Sequence, residues 1–389
     1  MKKKGQLTGA MRDGLKKQLA RLGKRLGYAM PTKEESMTLL ANHIVATNPG
    51  DRIILPAVDD LAQTGKRIFS ETEAVTEAGH VWRYPTDGKK AVLLRSGTLF
   101  CDGNVLCMDW LGDRRLLSDI LNRGERAVYQ TDVLIAPWSH YLDGIRFGGY
   151  YDYVVLIAAK LCRIKEALTD DEFRRAVVAY PLFDANYERE LLTLIGVGVD
   201  RIFDSRRTNI RFQTCALGNS GHWFYPNVAD LMALKRQVET NVPAVPRTGN
   251  RAYISRAGRR RILNEAELVP LLSRYGIEFI EDKSRTVAEQ VTIYRNASFI
   301  IGPHGASFTN ILWCQPGTHL VELFSPNYTP NFFLYMARRL GLRYSAYYHG
   351  PKSSNWFSGL DEDITVSIPD LERGLDALFA KSPQSLPQW

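Results

Sequence analysis

The chain has no long apolar run: the longest, Tyr153 to Ala159, is seven residues, far short of the ~20 that carry a helix across a bilayer. Its N-terminus lacks an apolar segment followed by a small-residue cleavage site, so the sequence reads as cytosolic and unprocessed. Cys101, Cys107, Cys162, Cys215 and Cys314 are odd in number and scattered, with no Cys-x-x-Cys pair and no Cys/His run at zinc spacing. That excludes a disulfide framework and a zinc finger and predicts reduced, buried thiols. A complete G-x-G-x-x-G is also missing. Gly196-Val-Gly198 has no third glycine and follows a helical segment, which argues against a dinucleotide-dependent dehydrogenase.

Surplus charge is absent from most of the chain. The net +8 lies wholly in residues 1–30, with nine Lys/Arg and one Asp, and residues 31–389 balance at 41 against 41. A neutral body is not coated for a phosphate backbone, so no nucleic-acid partner is expected. With 45% hydrophobic and 24% charged residues over 389 positions, the composition is that of a globular protein of about two domains.

Met11, Leu15, Leu19, Leu22 and Leu26 fall on one helical stripe, with Lys16, Lys17, Lys24 and Arg25 over much of the remainder. Two readings compete: a basic amphipathic helix lying on an anionic membrane surface, and a helix docking its leucines on its own protein. The absence of serine from residues 1–30 argues against a mitochondrial presequence.

From about Leu40 to Trp138 short β-type runs alternate with Gly- and Asp-containing breaks. Tyr153–Leu168 then reads as a helix, Ala176–Tyr180 as a buried strand, and Tyr187–Ile195 and Val228–Val238 as helices. Residues 241–250, with Pro243, Pro246 and Gly249, form the best linker candidate. Beyond it the alternation is regular: strand Ala252–Ser255, helix Glu265–Tyr275, strand Glu278–Glu281, helix Val287–Asn296, strand Phe299–Gly302, helix Phe308–Trp313, strand Leu320–Phe324. This pattern predicts a Rossmann-like domain with ligands outside the carboxyl ends of its strands.

The most distinctive local feature is the strand, turn and helix Phe299 to Asn310. Gly302 and Gly305 permit close backbone approach, and a helix starting near Ser307 would offer N–H groups and a positive dipole end to a diphosphate, with His304 as a further donor. A satisfied structural histidine is the competing reading. Glu322 could accept ribose hydroxyls from the following strand, or stand as a surface acid. One of Arg256, Arg259, Arg260 and Arg261 could clamp an anion, or the group could form a solvated turn.

Tyr253-Ile-Ser-Arg256, Arg261, Asn264-Glu265, Ala288-Glu289-Gln290, Gly302-Pro-His-Gly-Ala306, Asn310, Pro316-Gly317 and Val321-Glu322-Leu323 resemble, in type and order, glycosyltransferase family 61. The likeness is strongest over about residues 250–325. Upstream, Gly149-Tyr-Tyr-Asp-Tyr through Lys160-Leu-Cys-Arg is similar to the family's helix that opens with a tyrosine pair and a histidine, but Asp152 stands where the histidine is usual. The resemblance implies a GT-B architecture: two Rossmann-like domains facing a cleft, with extra β structure in the N-terminal half. The expected division is a leader (1–30), an acceptor-side domain (31–240), a linker (241–250) and a nucleotide-sugar domain (251–389), the last helix being a candidate to return to the N-terminal domain.

The resemblance further implies inverting transfer of a hexosyl or pentosyl group from a nucleotide-sugar, with a UDP-sugar as first candidate, to a glycan or lipid-linked glycan. Its donor set comprises Arg256, Arg261, Asn264, Glu289, Gly302, His304, Gly305, Ala306, Ser307, Asn310 and Glu322. Inversion needs a base for the acceptor hydroxyl; Asp152 is the candidate, with His140 and Asp143 in reserve, against the reading of a carboxylate that complements a helix dipole. Trp223, Tyr225, Tyr150 and Tyr151 could stack on sugar rings or simply be core. No cofactor beyond the co-substrate and no metal is expected, and Asp361-Glu-Asp363 reads as a solvated loop. The expected setting is bacterial capsule, exopolysaccharide or lipopolysaccharide synthesis, at the inner face of the cytoplasmic membrane. The alternative is a non-catalytic nucleotide- or polyanion-binding peripheral membrane protein.

Overall fold

The computed structural model describes residues 23, 27–109, 124–142, 149–246, 248–352 and 359–380. The leader's leucine stripe and Asp143 lie outside them. In chain order the strands are β1 (Ile44–Asn48), β2 (Asp51–Leu55), β3 (Val58–Asp60), β4 (Gln63–Phe69), β5 (Thr72–Thr76), β6 (Gly79–Pro85), β7 (Ala91–Leu93), β8 (Leu99–Cys101) and β9 (Asn104–Val105). They continue with β10 (Ala127–Ala136), β11 (Val177–Tyr180), β12 (Ile202–Asp204), β13 (Thr208–Gly218), β14 (Asn250–Ile254), β15 (Ile277–Ile280), β16 (Ala297–Pro303), β17 (His319–Phe324) and β18 (Arg343–Tyr348). The chain divides into two units. The first comprises the residues up to Gly50, Glu77–Gly148 and Asp152–Leu234; the second comprises Asp51–Thr76, Gly149–Tyr151 and the chain from Lys235 onward.

The first unit is built on a six-stranded sheet in the order β1-β6-β13-β10-β11-β12. β13, β10, β11 and β12 run parallel, β6 is antiparallel to β13, and β1 is antiparallel to β6. β10 begins exposed and ends in buried Val133-Leu-Ile-Ala136, so its carboxyl end enters the core with Trp82, Val177 and Cys215. The helix expected over Tyr153–Leu168 opens as a π-helix, Tyr153–Ala158, and becomes α-helical over Ala159–Glu166. All six π residues are buried, which explains a sequence apolar on every side and therefore silent about a face. The Ala159 N–H reaches Val154 O, five residues back, the widened turn that π segments bring to helices.

The second unit carries a seven-stranded sheet in the order β15-β14-β16-β17-β18-β3-β4. Its first six strands are parallel, and β4 is antiparallel to β3. The alternation read from residue 250 onward is observed, as strands and crossover helices over Glu265–Arg274 and Val287–Asn296.

Three features depart from the sequence reading. The segment after β16 is a 3₁₀ helix, Ala306–Trp313, rather than an α-helix from Phe308. The last helix, Ile368–Ala380, buries Leu371 and Leu375 with Leu268, Phe299 and Ile301 in the second unit's own core; it does not return to the N-terminal domain. The ribbon 51–76, expected with residues 31–240, groups with the second unit, where β3 covers the edge of β18 through Ala346 and Asp60. An uncovered parallel edge would leave a row of unpaired backbone groups, and the Tyr348 N–H bonds Asp60 Oδ2 at 3.3 Å. All five cysteines are buried thiols.

Candidate functional site

Numbered within the second unit alone, its five parallel strands β14 to β18 lie in the order 2-1-3-4-5, so the strand order reverses between β14 and β16. Ligands of such sheets bind beyond the carboxyl ends at that reversal. Here Ser255-Arg256 follows β14 and His304-Gly305 follows β16. The two ends approach closely because two glycines make room. A Cβ on Gly302 would lie 2.6 Å from Ile254 O, and one on Gly305 would lie 1.4 Å from Arg256 Nη1. The φ of Gly305 is 172°, extended backbone open to any residue, so its requirement is space. Arg256 lies across the turn and donates from Nη1 to His304 O at 3.3 Å.

A second guanidinium joins it. Arg260 has a φ of +59°, a left-handed conformation that non-glycine residues adopt at a cost, and it is only 6% exposed. Its Nη1 donates to Leu360 O at 3.0 Å, its guanidinium lies 5.3 Å from the Tyr328 ring centre, and its buried Nε has no partner among the described residues. Burial, then the charges of Arg260 and Arg259, push Arg256 down to about 10. Burial and Arg259 lower Arg260 likewise. Among the described residues neither makes an ion pair, whereas Arg259 and Arg261 bond Asp361 at 3.2 Å and Asp363 at 3.1 Å. Buried cations with no carboxylate bonded to them are expensive, and an anion bound at the strand ends would relieve the cost.

Beneath the arginines lies a buried chain of three side chains. His304 Nδ1 meets Glu322 Oε1, and the Tyr344 hydroxyl donates to Glu322 Oε2. His304 is 4% exposed, Glu322 not at all, and the imidazole packs among Phe324, Tyr328 and Phe333. Burial, reinforced by Arg260 and Arg256, holds His304 well below the usual imidazole range, so it is neutral. Burial lifts Glu322 to about 8, against the opposing pull of the Tyr344 hydrogen bond and Arg260.

Several residues expected at the donor belong instead to the scaffold. Glu322 cannot take ribose hydroxyls, because both carboxyl oxygens are engaged in the sheet interior. Arg261 points to Asp363 at the surface, and Arg260, which the sequence could not single out from its neighbours, takes the inward place. Asn264 acts as a backbone mimic, donating to Val366 O at 2.8 Å and accepting from Val366 N at 3.0 Å. Glu289 closes the Thr286 capping box. Asn310 is a buried hub, accepting from Tyr150 at 2.7 Å and Trp313 at 3.0 Å while donating to Gln290 at 2.8 Å. Ala306 and Ser307 open the 3₁₀ helix, and Ser307 O accepts from the Tyr294 hydroxyl at 3.0 Å. Arg256, Gly302, His304 and Gly305 are brought together; Arg260 and Tyr344 are additions.

In the first unit Asp152 is 8% exposed at the head of the π-helix and accepts from Trp223 Nε1 at 2.8 Å. His140 is tied into the core: its Nδ1 accepts from the Met108 N–H at 3.3 Å and its Nε2 lies 3.0 Å from Thr98 Oγ1. That arrangement fits a structural histidine rather than a base. Of the expected stacking platform, Tyr225 stacks on His222 at 5.0 Å and Trp223 on Phe224 at 4.9 Å. Tyr151 stacks on Phe332 in the second unit at 6.3 Å.

The sequence reading also passed over a buried polar cluster at the ends of β10 and β13. Lys160, wholly buried, donates to Trp138 O at 2.7 Å and Ser220 Oγ at 2.9 Å, with Asp109 at 3.6 Å. Arg163 pairs with buried Asp230 at 2.6 Å. Charged residues inside the helix 159–166 were the available signal, since such groups are rarely buried unless paired.

Residues 130–321, just under half of the chain, match the family model Glycosyltransferase 61. A xylan glycosyltransferase of Arabidopsis thaliana is 29% identical over 121 residues, 30% of this chain and 24% of that protein. The EGF domain-specific O-linked N-acetylglucosamine transferase of Drosophila melanogaster is 32% identical over 96 residues, 24% of this chain and 18% of its own. The human protein O-linked-mannose beta-1,4-N-acetylglucosaminyltransferase 2 is 35% identical over 104 residues, 24% of this chain and 17% of its own. The matches thus span about a quarter or less of these relatives' lengths, and each relative is a glycosyltransferase by name.

Proposed function

We propose that this chain transfers a sugar from a nucleotide-sugar donor to a hydroxyl of a glycan acceptor, with the donor's diphosphate held beyond the ends of β14 and β16. The observation that carries this reading is the pair Arg256 and Arg260, gathered at the strand-order reversal with no carboxylate paired to either among the described residues. The family match and the relatives' glycosyltransferase descriptions supply the ligand class. Two guanidiniums balance the charge that develops on a leaving diphosphate, so the charge count at this position calls for no divalent cation.

The finer reading is inverting transfer in a GT-B arrangement, the first unit binding the acceptor. Asp152 would accept the acceptor proton, its Oδ1 oriented by the Trp223 indole. We place the reaction in surface polysaccharide synthesis on a lipid-linked or free glycan at an anionic membrane surface, on the strength of the basic leucine-striped leader. Anionic liposomes at low salt should sediment the full chain but not a variant lacking residues 1–30. Failure of the full chain to sediment removes the membrane part alone.

The central test is calorimetric titration with UDP, GDP, CMP and ADP, with and without magnesium. One nucleotide should bind selectively, independently of the metal, and more weakly in Arg256→Ala and Arg260→Ala. If none binds, the donor reading fails and the polyanion-binding alternative replaces it.

A further inference from the structure

Glu322 occupies β17 between β16 and β18, opposite Gly302 on one side and Ala346 on the other. Its Oε2 accepts from Tyr344, a phenol that burial and the neighbouring carboxyl keep firmly protonated. A carboxyl proton, when present, therefore resides on Oε1, facing His304 Nδ1. The imidazole is neutral and carries one proton; with Nδ1 accepting, that proton is on Nε2. Nε2 has no hydrogen-bond partner among the described residues, and the charged groups facing the ring are Arg256 and Arg260.

We propose that Glu322 is a positioning residue: its carboxyl proton, donated to Nδ1, fixes His304 as the Nε2–H tautomer and makes that nitrogen a third donor to the diphosphate beside the two guanidiniums. The inference rests on the donor reading above. It gives a buried acid a task that a ribose contact cannot give it, and it specifies what happens when the proton leaves. Ionised Glu322 would accept from Nδ1–H, so the ring proton moves from Nε2 to Nδ1 and one proton is released to solvent. Nε2 then presents a lone pair to phosphate oxygens. The groups bearing on that ionisation are Tyr344 on β18, Arg260 after β14, and His304 itself, and burial sets it near pH 8.

The experiment uses full-length protein with ¹⁵N-labelled histidine. Imidazole nitrogen shifts, assigned by their loss in His304→Ala, are recorded without ligand from pH 6.5 to 9. In parallel, whichever of UDP, GDP and ADP binds is titrated at each pH. The native chain should show Nε2–H at pH 7 and pass to Nδ1–H with a midpoint near 8, and affinity should fall by about tenfold across the same range, as for loss of one hydrogen bond to a charged group. In Glu322→Gln the amide donates to Nδ1 without titrating, so tautomer and affinity should not vary with pH from 7 to 9. A native Nδ1–H tautomer at pH 7, or a tautomer change that persists in Glu322→Gln, overturns the proposal. The expected tautomer behaviour with no nucleotide bound at any pH would leave the Glu322–His304 relay standing and overturn the diphosphate role.

Discussion

Each unit gathers two cationic side chains at the carboxyl ends of parallel strands, and the two pairs are treated in opposite ways. In the first unit Lys160 and Arg163 are answered from within by Asp109 and Asp230, at 3.6 and 2.6 Å. Burial pulls Lys160 down to about 8 against the attraction of Asp109. Burial alone would raise Asp109, but Lys160, His140 and hydrogen bonds from Ser139 and Ser220 more than offset it, so the carboxylate stays ionised. In the second unit Arg256 and Arg260 are held by carbonyl oxygens and an aromatic ring. On the donor reading proposed above, similar sheet ends serve for cohesion in one place and reception in the other. Charge closure, rather than architecture, separates the two uses.

The contrast can be broken by substitution. Lys160→Ala would strand Asp109 in the core and should cost about 3–5 kcal/mol, read as a lower urea midpoint; a loss under ~1 kcal/mol would mean that the first-unit pair is not cohesive. Arg256→Ala and Arg260→Ala should do the reverse. Each is expected to weaken nucleotide binding by roughly ten- to hundredfold while leaving the urea midpoint unchanged or raised, because a buried uncompensated charge has gone. A lowered urea midpoint without loss of affinity would erase the contrast. Gly305→Ala meets no backbone strain, but its methyl group would occupy the place of the Arg256 guanidinium. Calorimetry should show weakened binding in a protein whose circular dichroism is unaltered. The smallest effect belongs to Asn264→Ala, which loses two bonds to Val366: about 1–2 kcal/mol of stability and no change in nucleotide affinity.

The second unit's strands and crossover helices were legible because its sequence alternates apolar strands and amphipathic helices, and the Gly302-Pro-His-Gly305 turn pointed to the strand end where Arg256 and His304 meet. Which arginine faces inward was not legible, because the choice turns on the left-handed backbone at Arg260, and spacing says nothing of that. Glu322 misled because an acid in Leu-Val-Glu-Leu-Phe suggests a strand end, whereas its register opposite Gly302 places it between His304 and Tyr344. The ribbon 51–76 read only as β structure; its partner strand is contributed from the far end of the chain.

That distant partnership sets a schedule for synthesis. The Tyr348 N–H bonds the Asp60 carboxylate across 288 residues. At about 5–20 residues per second, the ribbon waits roughly 15 to 60 seconds on the ribosome before its partner strand is made. Over that interval β2 and β5 can pair with each other, while β3 has no β18 to join. The β3 edge left unpaired during the wait is where chaperone capture should concentrate, and slowed translation after residue 76 should lower soluble yield more than an equal delay after residue 348.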